Sequence, residues 1–181
     1  MTALVFQRRE ARDRIGLKGP RAAEWLAGHG IVVPMAPNTW AVSAAPLMPD
    51  DALLAARLGT GEFFLEDRAG GTALRGLELA AETTPGVYPV LREDAAFLLF
   101  GEGSPDVLAQ VCNVNFADLE LDSHLVIMTL MIGVSVLVVP QAAGPKSLYR
   151  IWCDPTFAPY LGKTLGAVVV ECGGNYKGEW E

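Results

Sequence analysis

One pattern occurs twice in this chain, and it limits the folds that the chain can adopt. The first copy is RIGLKGPRAAEWL at residues 14–26, and the second is FLLFGEGSPDVLA at residues 97–109. Each copy predicts a short apolar strand, a glycine-containing turn, a proline in the first helical turn and an amphipathic helix. Such a duplication predicts a scaffold of two similar halves, and any chemistry has to be argued from other residues.

The segments that follow each copy predict a similar order of strands and helices. In the first half we expect strands at 14–18, 39–43, 53–58, 62–66 and 87–91, with helices at 20–27 and 73–81. In the second half we expect strands at 95–100, twice within 125–139, at 148–153 and at 167–171, with one helix opening at Ser104-Pro105-Asp106 and another at 155–165. The Ser104 hydroxyl is expected to cap its helix.

Each half thus approximates the order β-α-β-β-α-β, which is the split βαβ or ferredoxin-like order. We therefore predict an α+β protein with two tandem ferredoxin-like halves, at about residues 14–91 and 92–172. Together they form a single domain over residues 1–181, and residues 173–181 are expected to be a C-terminal tail.

The composition favours a subunit of an assembly. Apolar residues make up 51% of the 181 residues and charged residues only 19%, below the roughly 25% of an ordinary soluble domain. Large exposed apolar patches usually mark surfaces that bind partners, although a well-filled core would also use this surplus. The net charge of −7 and the absence of a basic run disfavour nucleic-acid binding. Arg8, Arg9, Arg12 and Arg14 alternate with acids, which predicts a solvated segment.

Cysteine usage and hydropathy indicate a cytoplasmic protein that binds no membrane. Cys112, Cys153 and Cys172 are odd in number and lack CxxC spacing, so neither a disulfide framework nor a zinc site is predicted. The first residues lack the apolar core of a secretion signal. The uncharged run at 125–140 is too short for a bilayer, and Gly133 divides it, so we expect two buried strands joined by a bend.

No residue pattern predicts a catalytic, cofactor-binding or metal site, so we assign none. His29 follows a helix and His124 precedes an apolar run, and neither has a companion at motif spacing. The acids fit turns, exposed edges or helix caps: these are Glu93, Asp94, Asp118, Glu120, Asp122 and Asp154. The turns at 18–20 and 101–103 lack the spacing of phosphate-binding loops, and Glu102 would repel phosphate.

The cysteines and three tryptophans are predicted to be packing residues. Free cysteines are most often small buried apolar groups, and Trp25, Trp40 and Trp152 follow the periodicity of their elements. Trp180, near the polar end of the chain, is expected to be either disordered or held on a partner.

Five blocks in order resemble a known family. They are RIGLKGPRAAEWL, ARLGTGEFFLED, GVYPVLREDAAFLL, LAQVCNVNF and YRIWCDPTFAPYL, and the resemblance runs from about residue 14 to 174. Together they resemble the gamma subunit of heterotetrameric sarcosine oxidase, and they are similar to gamma-type subunits of N-methylglutamate dehydrogenase complexes. Both families resemble the folate-binding fold of the glycine-cleavage T-protein, which would explain the duplicated halves.

The resemblance implies a non-catalytic accessory subunit of a complex that oxidatively demethylates a secondary N-methyl amine. In such complexes FAD, FMN, NAD, zinc and tetrahydrofolate are held by the other subunits, and the expected partners here are the large alpha-type subunit and the beta- and delta-type subunits. The folate signature of the T-protein has no match; the closest string is Leu58-Gly59-Thr60-Gly61-Glu62-Phe63. No catalytic or folate-binding residue is therefore transferred to this chain.

Two alternatives stay open. One is an independent one-carbon transferase of the T-protein type that binds tetrahydrofolate itself, which requires a concave pocket with a carboxylate near the reactive nitrogen of the folate. The other is a regulatory or ligand-sensing module on the same fold.

Overall fold

The computed structural model describes residues 4–9, 13–45, 48–67, 72–143 and 146–178, apart from the side chains of residues 44–52 and 72–73. In chain order the strands and helices are β1 (Val5–Arg8), β2 (Arg14–Lys18), α1 (Ala22–Gly28), β3 (Thr39–Ala45), β4 (Met48–Gly59), β5 (Glu62–Glu66), α2 (Thr72–Glu82), β6 (Tyr88–Leu91), β7 (Ala95–Phe100), α3 (Ser104–Val111), β8 (Ile127–Met131), β9 (Val134–Ala143), β10 (Lys146–Cys153), α4 (Ala158–Glu171) and β11 (Asn175–Lys177). Short 3-10 turns lie at Phe116–Asp118, Leu121–Ser123 and Pro155–Phe157.

Contacts within the chain divide it into two compact units. The first unit is Arg12–Glu93, and the second combines Asp94–Glu181 with Met1–Ala11. The first unit contains an antiparallel sheet in the order β3-β4-β5-β2-β6. Its helices α1 and α2 contribute to one apolar core with the sheet: Ile15, Leu17, Ala22, Leu26, Leu53, Ala55, Phe63, Leu65, Leu74, Leu77, Ala81 and Val87.

The pattern of α2 shows why this helix packs where it does. Leu74, Leu77 and Ala81 recur at helical spacing, and all three are buried in the core of the first unit. The sequence predicted both this helix and this face, and the structure confirms them. Burial of such a stripe supplies most of the stability of a helix of this length.

The second unit contains a six-stranded sheet in the order β11-β1-β7-β10-β9-β8. All of its neighbouring strands are antiparallel except β1 and β11, which are parallel. Helices α3 and α4 bury Val107, Leu108, Leu161, Leu165 and Val169 against this sheet. Phe6 of β1 is fully buried, and its ring stacks on Phe97 and Tyr176 at 5.4 and 5.5 Å between centroids.

The two units share a strand order. Between its two helices each unit has three strands, and the sequence of elements in each is β-α-β-β-β-α-β. If β1 is set aside, the order β11-β7-β10-β9-β8 corresponds position by position to β6-β2-β5-β4-β3. The ferredoxin-like order β-α-β-β-α-β is therefore one strand short in each half, whereas the strands predicted individually already number five in each half.

Three local predictions are wrong. Residues 167–171 form the end of α4 rather than a strand, because Leu165 and Val169 continue the helical core face and Gly166 packs beneath the Tyr176 ring. Arg14 is buried rather than solvated. The Ser104 side chain does not cap α3, since Gly103 is the N-cap residue and Ser104 lies inside the first turn.

Two further features differ from the sequence-based expectation. Residues 175–177, which the sequence placed in a polar tail, form β11. The predicted bend at Gly133 is confirmed as a tight turn between β8 and β9, although the side chains of β8 are only partly buried. Among the described residues, none of the helices is both long and apolar enough to cross a bilayer.

Candidate functional site

The glycine turns of the first unit pack against one another. Gly19, with a φ of 135°, donates its N–H to the Gly61 carbonyl at 2.9 Å. A Cβ on Gly61 would lie 2.5 Å from the Gly19 oxygen, and one on Gly19 would lie 2.2 Å from the Gly86 oxygen. These glycines are needed so that three turns can approach closely. This close packing is sufficient to explain the Gly-rich string at residues 58–63, and no bound ligand has to be invoked.

The second glycine turn is part of the packing at the start of α3. Gly101 has a φ of 125°, its N–H donates to the Ser147 carbonyl, and Ser147 Oγ donates back to the Gly101 carbonyl. Glu102 lies exposed in this turn. The Ser104 hydroxyl is fully buried and has no hydrogen-bond partner among the described residues.

The two histidines are exposed and lie in different units. His29 follows α1, and its Nδ1 lies 2.8 Å from the Trp25 carbonyl oxygen while its ring lies 4.0 Å from the Trp25 ring. His124 has a left-handed backbone after the 3-10 turn Leu121–Ser123. Within the described parts of the chain, no three His, Cys, Asp or Glu side chains are placed to hold a metal ion.

Most of the candidate acids lie at turns and caps. Asp154 accepts hydrogen bonds from the Thr156 backbone N–H and from the Thr156 hydroxyl, and these bonds lower the pKa of the Asp154 carboxyl. Asp118 accepts from the Asn115 side chain at 2.6 Å. Asp118, Glu120 and Asp122 are all exposed, and Glu93 and Asp94 lie in the connection between β6 and β7.

The cysteines differ in exposure and chemistry. Cys153 is buried in β10, and its pKa is raised from 9.0 to about 11 by burial first and then by the charges of Asp94 and Asp154. This thiol is therefore protonated and unreactive at neutral pH. Cys112 is buried beside Thr129, whereas Cys172 is exposed at the end of α4, where Gln110 Nε2 lies 3.2 Å from its sulfur. Cys172 thus ends a helix and not the predicted strand.

A buried ion pair in the first unit was not found from the sequence. Arg14 Nε lies 2.7 Å from Glu66 Oε2, and the two side chains are 5% and 0% exposed. Arg14 and Glu66 are direct cross-strand partners on β2 and β5. Asp67, the next residue, is also buried. Arg14 and Glu66 each lie at the end of a short strand segment, RIGLK and EFFLE, but the sequence does not show which residues of distant segments pair.

Arg57 organises a surface loop of the first unit. Its guanidinium donates to the carbonyls of Pro34, Met35 and Thr60 at 3.1, 2.9 and 2.7 Å, and it lies over the Phe63 ring. The Met35 side chain at the tip of this loop is 96% exposed.

Exposed apolar side chains occur in both units. In the described part of the first unit they are Val32, Met35, Val42, Leu79, Tyr88 and Leu91, and in that of the second they are Met128, Leu130, Phe157, Tyr160 and Val170. In the second unit two of them lie on the edge strand β8, and Tyr160 Oη donates to the carbonyl of Ile132 in the turn after it. These exposed apolar side chains are the candidate contact surfaces of the two units.

Comparisons with models of protein families and with curated proteins find no match to this chain. Comparison with solved structures finds the same fold in known proteins. Glycine cleavage system aminomethyltransferase T from Bartonella henselae matches with a TM-score of 0.71 at 15% identity, over 96% of this chain and 47% of that chain. This chain thus spans about half the length of the aminomethyltransferase.

A second solved structure is similar over nearly its whole chain. Heterotetrameric sarcosine oxidase from Corynebacterium sp. U-96, in complex with pyrrole 2-carboxylate, matches with a TM-score of 0.72 at 20% identity, over 96% of this chain and 87% of that chain. At 20% identity this similarity shows the fold alone. The chain has a T-protein-like fold, which it shares with a chain of that heterotetrameric oxidase.

Proposed function

We propose that this protein is a non-catalytic structural subunit of a flavoenzyme complex of the sarcosine oxidase type. Such a complex oxidatively demethylates a secondary N-methyl amine and passes the one-carbon unit to tetrahydrofolate. In this proposal the alpha-, beta- and delta-type subunits hold FAD, FMN, NAD, zinc and tetrahydrofolate, and this chain stabilises the large subunit in the cytoplasm.

The observation that carries the proposal is the length of the matching chains. The alignment with the sarcosine oxidase chain covers 96% of this protein and 87% of that chain, so the two are similar in size. The alignment with the aminomethyltransferase covers only 47% of the enzyme. The fold of this chain thus matches most of that oxidase chain but only about half of the aminomethyltransferase, which supports the subunit role.

The string nearest to the T-protein folate signature supports this assignment. Glu62 is the acid of the string nearest to the T-protein signature, and it pairs with Lys18 at 3.1 Å on the surface, where the two side chains are 39% and 53% exposed. Gly61 of the same string packs against Gly19. These residues do not fit a folate pocket, and we derive no catalytic step through folate.

The exposed apolar side chains support the same role from the surface. Obligate interfaces are more apolar than the rest of a protein surface and are depleted in charge. Met35, Leu91 and Leu130 are large apolar residues with more than half of their side chains exposed. We further infer that the two units are copies of a ferredoxin-like module, each with one added strand, and their common strand order supports this.

Affinity capture of the tagged full chain from its native cells tests the proposal. We expect a larger flavoprotein to co-elute in a fixed ratio, with flavin absorbance bands in the eluate. Gly28→Ala is a matched control that should retain the partner, because nothing lies within 4 Å of a Cβ at that position. Phe6→Ala removes a fully buried ring and should lose the partner together with the folded second unit.

Titration with tetrahydrofolate tests the alternative of an independent transferase. The purified chain should show no saturable binding in the micromolar range. Stoichiometric binding of tetrahydrofolate, with no flavoprotein in the captured material, would favour the transferase and contradict the structural role.

A further inference from the structure

The two sheets have four edge strands, and three of them carry features that discourage pairing with another chain. β6 contains Pro89, which has no N–H to donate. β11 has only three residues and ends with Lys177. β3 has a bulge between Ser43 and Ala45, and Val32 N–H donates to Ser43 Oγ beside it. Bulges, prolines, charges and short length are the usual means of protecting an edge.

The fourth edge strand, β8, has none of these protections. Its sequence is IMTLM, which lacks charge, proline and glycine, and it pairs with β9 without a shift in register. Ile127, Thr129 and Met131 face the core of the second unit. Met128 and Leu130 face outward, and their side chains are 53% and 59% exposed. An exposed apolar edge of this kind is a template for strand addition.

The backbone of the same two residues is directed to the open edge. β8 and β9 are joined by the two-residue turn Ile132-Gly133, with both φ angles positive, so Met131 and Val134 form a hydrogen-bonded pair. By alternation, the N–H groups of Met128 and Leu130 point away from β9. Among the described residues, the pairing on this outer side lies at the end of the strand, where Cys112 bridges Met131 and the Ile132 N–H donates to the Val111 carbonyl at 2.8 Å.

The charge around β8 indicates what kind of segment fits there. Residues 93–145 contain seven acids and no lysine or arginine. Asp118, Glu120 and Asp122 are exposed in the segment that runs directly into β8, and the 3-10 turn Leu121–Ser123 packs on β9. The described basic residues of the second unit lie on other elements: Arg8 and Arg9 at β1, Lys146 and Arg150 in β10, Lys163 in α4 and Lys177 in β11.

We propose that the edge of β8 binds an extended segment of a partner protein that carries apolar residues at alternate positions and lysine or arginine at its ends. The segment adds a strand to the six-stranded sheet, its backbone accepts from the N–H groups of Met128 and Leu130, and its apolar side chains cover theirs. In either strand direction, one of its basic ends lies on the side of the acids before β8. A second copy of this chain fits less well, because antiparallel pairing of two β8 strands would place each acidic segment beside the Ile132-Gly133 turn of the other copy, and residues 93–145 supply no lysine or arginine to meet it.

This binding site adds detail to the proposed subunit role. Only the identity of the partner depends on that proposed role. The probe is a designed peptide, Lys-Lys-Val-Thr-Val-Thr-Val-Lys-Lys, which is added to the full chain and followed by calorimetry and hydrogen exchange. We expect saturable binding and slowed exchange at the amides of Met128 and Leu130. A peptide with Glu in place of every Lys, and one with Pro in place of the central Val, should each bind about tenfold more weakly or not at all.

A double variant and a matched control locate the site. Met128→Lys with Leu130→Lys should weaken binding of the peptide about tenfold or more, because lysines on an edge oppose strand addition and repel the basic peptide. Tyr88→Lys with Leu91→Lys makes the same change on the edge strand β6 and should leave binding unchanged. The exchange measurement on the unmodified chain decides the question even if a variant folds poorly.

Several results would overturn the proposal: no binding, equal binding of the Glu peptide, equal binding by the β8 variant, or protection of β6 instead of β8. Self-association that protects the β8 amides without peptide would show that a second copy is the occupant. Binding of the peptide by a chain that captures no flavoprotein would retain the β8 site and refute the subunit role.

Discussion

The two units have the same strand order but differ in how they are completed. The first unit takes all of its strands from Arg12–Glu93. The second unit receives β1 from the start of the chain, which inserts between β7 and β11 and places Phe6 in the core. The five shared strands therefore have the same order in both units. The additional strand β1 changes the core of the second unit, because its residue Phe6 becomes part of that core.

The two units also differ in the polar groups that they bury. The first unit buries the ion pair of Arg14 with Glu66, whereas the second buries Arg150 and, near two acids, the neutral Cys153 thiol. The contribution of a buried ion pair to stability depends on both charged partners. The contribution of a buried neutral thiol depends on pH, because the thiol ionises more readily in the unfolded chain. The stability of the two units should therefore respond to different perturbations.

The largest expected effect is on the buried ion pair of the first unit. Glu66→Gln removes the carboxylate from this buried ion pair and should lower the free energy of unfolding by about 3–5 kcal/mol. Urea unfolding measures the loss, and hydrogen exchange should locate it within residues 12–93. The control Glu62→Gln breaks the exposed pair with Lys18 and should cost about 0–1 kcal/mol. Equal losses for the two variants would contradict the account of the first unit.

The second prediction concerns pH and the second unit. Burial raises the pKa of Cys153 to about 11, so the unfolded thiol ionises first and stability is lost as pH rises from 9 to 11. The lost contribution is about 2–3 kcal/mol, and it should be absent from Cys153→Ala. The difference in unfolding free energy between the two proteins should thus shrink over this range. A constant difference would show that Cys153 ionises equally in both states.

The smallest expected effect is on the glycine turns of the first unit. A Cβ at Gly61 would lie 2.5 Å from the Gly19 carbonyl oxygen, so Gly61→Ala should destabilise the unit by about 1–3 kcal/mol. Gly28→Ala, at a position with open space, should be neutral or stabilise by up to about 1 kcal/mol. Thermal unfolding measures both variants. A neutral Gly61→Ala would show that the turns can separate without loss.

Local signals in the sequence predicted much of the fold. The 3.6-residue spacing of Leu74, Leu77 and Ala81 predicted α2 and its buried face, and Gly133 predicted the turn between β8 and β9. The predicted packing of Trp40 and Trp152 is confirmed by their burial. These features depend on nearby residues, which a sequence displays directly.

The features that depend on distant residues were not predicted. β1 is short and lies next to charged residues, and only its pairing with β7 and β11 makes it a strand. Arg14 was expected in solvent because its partner Glu66 lies 52 residues away. The run of valines at residues 168–170 suggested a strand, but the packing of Leu165 and Val169 in the core keeps it helical. Trp180 lies outside the described residues.

The edge strand β8 also combines a feature that nearby residues predict with one that depends on distant residues. Its apolar, uncharged sequence was visible, and the two strands around Gly133 were expected to be buried. The strand order places β8 at the end of the sheet, so Met128 and Leu130 are exposed on it. Whether an apolar strand is central or at an edge is set by long-range pairing, which no local pattern contains.

The central claim is that this chain stabilises a larger flavoprotein without taking part in its chemistry. The most direct measurement compares the amount, size and flavin content of that partner in cells with and without this chain. We expect the partner to be aggregated or depleted without the chain and restored by the chain in trans. A partner that is equally abundant, equally flavin-loaded and equally heat-stable in the absence of this chain would contradict the account.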